Sequence, residues 1–211
     1  MPRVTRRGLL RSIGSWFAPG GPRTYFVGIQ VVISSYGEDT LRARLAALVN
    51  EERTHNETVE EKRRYLKRLV ALLVEFEPYW TYGFWDYLEG AEKAVAEYQS
   101  WVGEIEGSMA TEEEELGATV DGLHRLSAER RFVVTTLLFL LDSAYAPAEV
   151  SDEEEFYKRA TFHNLITNLP LIDPHTIRAD ATFVVPGNPE DGFSQDDLTS
   201  EGWQYLKELW G

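Results

Sequence analysis

The chain has 211 residues, no cysteine and a formal net charge of −14 at pH 7. The lack of cysteine excludes disulfides, thiolate metal sites and cysteine nucleophiles. The acidic balance argues against nucleic acid as a partner, because phosphate binding needs a cationic footprint. Apolar residues make up 43% of the chain, with six Trp among them, enough for one real core in a chain of this length.

The charge is uneven. Residues 1–23 hold five Arg (Arg3, Arg6, Arg7, Arg11, Arg23) and no acid. Thr5-Arg-Arg-Gly-Leu-Leu-Arg11 resembles the twin-arginine export motif. The stretch after it, Ser12–Ala18, is short and runs into Pro19-Gly-Gly-Pro22, which argues against an export signal. Leu9, Leu10, Ile13, Trp16 and Phe17 have helical spacing, so the arm reads as a basic amphipathic helix. Such a segment suits an anionic membrane surface, with Arg3, Arg6, Arg7, Arg11, Trp16 and Phe17 as its contacts. The Pro/Gly cluster then hinges an arm, 1–22, to a single domain, 23–211.

Tyr25–Ser34 is apolar and β-rich and predicts the first strand. Glu38-Asp-Thr opens a helix with Leu41, Leu45, Leu48 and Val49 on one stripe. Asn50–Asn56 is a charged break. Thr58-Val-Glu-Glu61 is a capping box. The helix it starts carries Val59, Leu66, Leu69, Val70, Leu73 and Phe76, and Pro78 marks its end. Residues 78–87 hold six aromatics in ten positions. Packing between two helices at an aromatic corner is the favoured reading. The competing one is a ligand or partner surface built from Tyr79, Trp80, Tyr82 and Trp85.

Trp85–Trp101 then reads as helix, with Leu88, Ala91, Val95, Tyr98 and Val102 on one face. Glu112–Glu115 reads as a solvated helix start, and it lacks the pattern of a calcium loop. Leu116, Val120, Leu123 and Leu126 extend the helical spacing. Arg131–Leu141 is the second strand. Ser151-Asp-Glu-Glu154 is another capping box, starting a helix through Phe156, Ala160, His163, Ile166 and Leu169 to Pro170. Ile177–Val185 is the third strand. Ser194-Gln-Asp-Asp197 caps a last helix, Leu198–Leu209. The expected fold is therefore α+β: a small sheet of three strands (25–34, 131–141, 177–185) covered by amphipathic helices, with a helical insertion between the first two.

Phe132-Val-Val-Thr-Thr-Leu-Leu138 resembles the "YIVVTLLVA" strand of a known family. Residues 181–198 resemble its "VEVLWTPQDPNDTLSEDEL" close, and Leu66–Trp80 its "LLRHPDYW" segment. Phe26–Ile33 resembles its opening strand. The family is the one catalogued as domain of unknown function 1517, best known in cyanobacteria and chloroplasts. Val184-Val185-Pro186 departs from its Trp-Thr-Pro. Ser127–Arg131 only faintly echoes its "ERSKFNEETLVN", and the transmembrane segment common in its members has no counterpart here. The resemblance implies a regulatory or scaffold protein of the thylakoid-associated type, with a protein partner.

No motif points to catalysis. His55, His124, His163 and His175 include no pair at i, i+4, and no nucleophile elbow, Walker loop or dinucleotide fingerprint occurs. His163, on an apolar helical stripe, reads as a satisfied core residue. The expectation is a non-enzymatic protein with no catalytic, cofactor or metal residues. It is placed in the cytoplasm, at the periphery of a membrane. The alternative is a small-molecule-binding domain or enzyme that uses the aromatic corner Tyr79–Tyr87 as a pocket wall.

Overall fold

A computed structural model describes residues 5–10, 23–34, 40–49, 51, 58–116, 131–186, 192–199 and 202–211. The elements in chain order are β1 (Thr5–Leu10), β2 (Tyr25–Ser34), α1 (Thr40–Val49), α2 (Val59–Glu75), β3 (Trp80–Glu89), α3 (Ala91–Leu116), β4 (Phe132–Leu141), α4 (Arg159–Thr167), β5 (Ile177–Val185), α5 (Gln195–Thr199) and β6 (Lys207–Glu208). They form an α+β domain on one open antiparallel sheet, ordered β1-β5-β4-β2-β3-β6, with β6 a two-residue edge. The three expected strands lie side by side at its centre: β2 pairs with β4, and β4 with β5.

Two further long strands enlarge the sheet. The aromatic run is β3, paired with β2 from Tyr25↔Glu89 to Ile33↔Trp80, and not a corner between helices. Tyr, Trp, Phe and Thr fit a pleated, half-buried surface, so β-propensity prevails over the helical spacing that begins at Trp85. The helix expected from Trp85 starts only at Ala91, after Gly90 turns the chain at φ 121, a backbone conformation that favours glycine. The insertion between the first two expected strands is therefore not purely helical.

Residues 5–10 also form a strand instead of a helix. β1 pairs antiparallel with β5, from Thr5↔Val184 to Leu10↔Ala179. Gly8 disfavours a helix here, and β5 would otherwise present an unpaired backbone edge. Residues 11–22, including the Pro/Gly hinge, lie outside the described residues.

β2, β4 and most of β5 are buried along their whole length, because helices cover both faces of the sheet. Tyr25, Val27, Ile29, Val31 and Ile33 face α1, α2 and α4 across the largest core. Phe26, with Leu138, Leu140 and Phe183, meets Ala94, Val95, Tyr98 and Val102 of α3. Val32, Phe132, Val134 and Val185 meet Phe193 and Leu198 of the C-terminal segment. Between Val32 and Ile33 the β2–β3 register shifts. A bulge of this kind re-aims a side chain, and Trp80 joins the first core.

The Thr58 capping box forms as read, with the Thr58 hydroxyl accepting from the Glu61 amide at 3.2 Å and the Glu61 carboxylate accepting from the Thr58 amide at 2.7 Å. Two other expected helix starts differ. Asp152, not Ser151, caps the turn at 153–155, and α4 begins only at Arg159. Ser194 and Asp197 cap each other, yet α5 ends at Thr199. The expected helix to Leu209 is not made. Gly202, at φ 99, turns the chain back, and the Leu209 amide reaches Thr81 O at 2.8 Å.

Candidate functional site

Gly83 of β3 positions the site. A Cβ there would lie 2.5 Å from the Phe162 ring, so the missing side chain lets α4 sit directly on the strand. One residue on, His163 meets the turn Glu77–Tyr79 that leads into β3. Its Nδ1 is 2.7 Å from the Glu77 carboxylate. Arg159, one turn earlier on the same helix, donates through Nη1 to Glu77 O at 3.0 Å and Trp80 O at 2.8 Å. Its Nε donates to Gly211 O at 3.3 Å. The C-terminal segment is laced alongside: the Arg159 amide donates to Trp210 O and the Trp210 amide to Tyr157 O. The Lys158 ammonium lies 5.0 Å over the Trp210 ring and is ion-paired with Glu155. These groups line a hollow of about 480 Å³, walled by Glu77, Lys158, Arg159, His163 and Trp210.

His163 is therefore not a core residue: its side chain is 44% exposed and paired with a carboxylate. Its apolar neighbours on the helix, Phe162 and Ile166, take the core positions. No sequence signal links Glu77 to His163, because the contact joins residues 86 apart.

The aromatic run spreads along β3. Trp80 is fully buried. Tyr82 packs edge-on to Phe132, and Trp85 edge-on to Phe156. The Trp85 indole N–H donates to Phe156 O at 2.8 Å. Phe84 stacks on Trp101, and Tyr87 on Tyr25. Tyr79 alone of the run is strongly exposed, at 48%. The four residues singled out as a surface thus fall in different surroundings, and only Tyr79 presents a broad open face.

A second polar cluster sits under the C-terminal segment. The buried Gln30 amide donates to the Thr136 hydroxyl at 2.8 Å and accepts from the Tyr205 hydroxyl at 2.7 Å. Burial pushes the Tyr205 phenol up to about 12, opposed by its bond to Gln30. Nearby on β3, burial raises the Asp86 carboxyl, with the Glu97 charge adding to the effect. A smaller pocket of about 190 Å³ lies where Tyr145, Asn168, Leu171 and Asp173 meet. There the Tyr145 hydroxyl donates to Leu165 O, and burial raises its phenol.

Of the arm residues, Arg6 and Arg7 lie in β1 opposite Phe183 and Thr182. Arg3, Arg11, Trp16 and Phe17 lie outside the described residues. Among the described residues no group of three or more His, Cys, Asp or Glu could hold a metal, and no helix is long and apolar enough to cross a membrane. No protein-family model, no curated protein and no solved structure matches this chain.

Proposed function

We propose that this chain is a non-enzymatic regulatory or scaffold protein that docks a protein partner, the role implied by its resemblance to the thylakoid-associated family. The observation that carries the reading is the pair of half-exposed aromatics, Tyr79 at 48% and Trp210 at 49%, on elements that converge at α4. Exposed aromatics of this size are anchors in protein interfaces. The polar groups around them are held by the protein's own atoms: His163 by Glu77, Lys158 by Glu155, and Arg159 by the backbone oxygens of Glu77, Trp80 and Gly211. Groups committed in this way serve positioning better than proton transfer. The acidic surface adds a preference for a partner with basic residues around an apolar centre, and the Arg-rich arm gives a second contact, to an anionic membrane surface.

The test is capture from native extract with immobilised full-length protein, beside a Tyr79→Ala/Trp210→Ala variant whose melting and circular dichroism match the parent. A partner retained in fixed stoichiometry by the parent and lost by the variant is expected. Equal retention by both would remove these two residues from the interface and end the reading.

A further inference from the structure

We infer that the outer edge of β3, from Phe84 to Glu89, is a docking site for an extended basic segment of a partner protein, which joins the sheet as a further strand. This deepens the partner-docking reading and rests on it. Among the described residues β6 covers β3 only at Tyr82 and Gly83, and no strand lies beyond Phe84–Glu89. Six residues of strand span about 20 Å. The backbone along such an edge is a template for another chain, and proteins that avoid pairing blunt their edges with Lys, Pro or a bulge. Phe84-Trp-Asp-Tyr-Leu-Glu89 contains neither Lys nor Pro. Its register with β2 runs unbroken from Tyr25↔Glu89 to Gln30↔Phe84, and the shift between Val32 and Ile33 lies beyond it.

Charge selects the occupant. The Asp86 carboxylate accepts from the neutral Tyr87 amide at 2.8 Å, and Glu97 from the neutral Trp101 indole N–H at 2.9 Å. Burial raises the Asp86 carboxyl and the Tyr87 phenol, and the charges of Glu97 and Glu149 add to these two effects in turn. Among the described residues no cation pairs with Asp86, Glu97 or Glu149. Glu89 is matched by Arg23 at 3.5 Å, and β6 adds one Lys and one Glu, so the edge keeps a surplus of carboxylates. A second β3 laid here would bring like charges together, which destabilises a strand pair. A strand carrying Arg or Lys gains opposite-charge pairs instead, and the net charge of −14 draws it in at long range.

The aromatics supply the apolar contacts. Phe84, Trp85, Tyr87 and Leu88 are only half-buried. Phe84 stacks on Trp101, Trp85 is pinned to Phe156 O, and Tyr87 stacks on Tyr25. The edge is therefore ordered before a partner arrives, and little freedom is lost on binding. Aromatic side chains pair well with β-branched ones across strands, so alternating basic and β-branched residues fit best.

The probe is a capped hexapeptide of alternating Arg and Val, titrated into the full chain and followed by calorimetry and backbone amide NMR. Binding is expected, with the largest amide shifts at Phe84–Glu89. The same peptide N-methylated at its two central residues keeps its charge but loses bonding on both edges, and is expected to bind at least about tenfold more weakly. Asp86→Asn/Glu149→Gln preserves side-chain shape and is expected to weaken the parent peptide by about threefold to tenfold, with a melting temperature near the parent's. Equal binding of the N-methylated peptide, unchanged affinity in the variant, an amide footprint elsewhere, or oligomers of the chain that exclude the peptide would each overturn the assignment. If the variant fails to fold, the N-methylated peptide and the footprint still decide it. Tyr79 and Trp210 lie outside Phe84–Glu89, so failure here with the capture result intact removes the added strand alone.

Discussion

The two faces of the sheet are built differently. On the face carrying α1, α2 and α4, apolar side chains dominate, and Tyr65, Leu66, Leu69, Leu72 and Leu73 of α2 meet the odd-numbered residues of β2 and β4. On the face carrying α3 and the C-terminal segment, the apolar contacts fall into two separate clusters. Between them stands a polar chain, Thr136–Gln30–Tyr205. The first arrangement resists unfolding through buried area. The second adds directional bonds, which cost little when complete and much when one member is lost.

A buried ion pair interrupts the apolar face. Lys62 of α2 reaches Asp180 of β5 at 2.5 Å, with both side chains nearly inaccessible. Removing one member of such a pair strands the other charge in the core. Asp180→Ala is expected to cost about 3–5 kcal/mol, read from urea melts. The double replacement Lys62→Met/Asp180→Leu should recover most of that loss. If the single and double variants are equally unstable, the damage comes from shape rather than charge, and the face does not depend on this ion pair.

Leu69 measures the apolar term by itself. It is fully buried in α2, so Leu69→Ala removes transfer energy and leaves a cavity, an expected loss of about 2–4 kcal/mol. A melt within about 0.5 kcal/mol of the parent would mean that α2 collapses onto the space, and that this face is less tightly packed than its burial indicates.

How much of this was legible follows from the kind of signal each element carries. Strands β2, β4 and β5 announce themselves as continuous β-rich runs because both of their faces are covered, and Thr58–Glu61 fixes the start of α2 by local bonding alone. β3 was obscured because its aromatics also fit helical spacing, and only pairing with β2 decides between the two. β1 was obscured because Leu9 and Leu10 fit an amphipathic stripe, while the edge of β5 that binds the segment lies more than 160 residues further along the sequence. The hollow was least legible. Glu77, Arg159, His163 and Trp210 come from three separated segments, and the signal nearest to it was Gly83, the gap that lets α4 approach.

The smallest expected effect tests the polar face. Tyr205 is 39% exposed as a residue, yet its hydroxyl bonds the buried amide of Gln30, and the phenol is pushed up to about 12. An unfolded chain would ionise Tyr205 near pH 10. Between about pH 10 and 12 the unfolded state therefore sheds a proton that the folded state keeps, and stability falls as pH rises through that window. Below pH 10 both states hold the proton and the contribution is constant. Tyr205→Phe removes the titration and the bond together. At pH 8 it should cost about 0.5–1.5 kcal/mol, the ordinary worth of one hydrogen bond. From pH 9.5 to 11.5 its urea midpoint should fall less than the parent's. Tyr145 is also raised by burial, so part of the alkaline loss persists in the variant, and only the difference between the two proteins reports on Tyr205. Parallel curves for parent and variant would show that the hydroxyl titrates as if in water, and that the polar chain ends at Gln30.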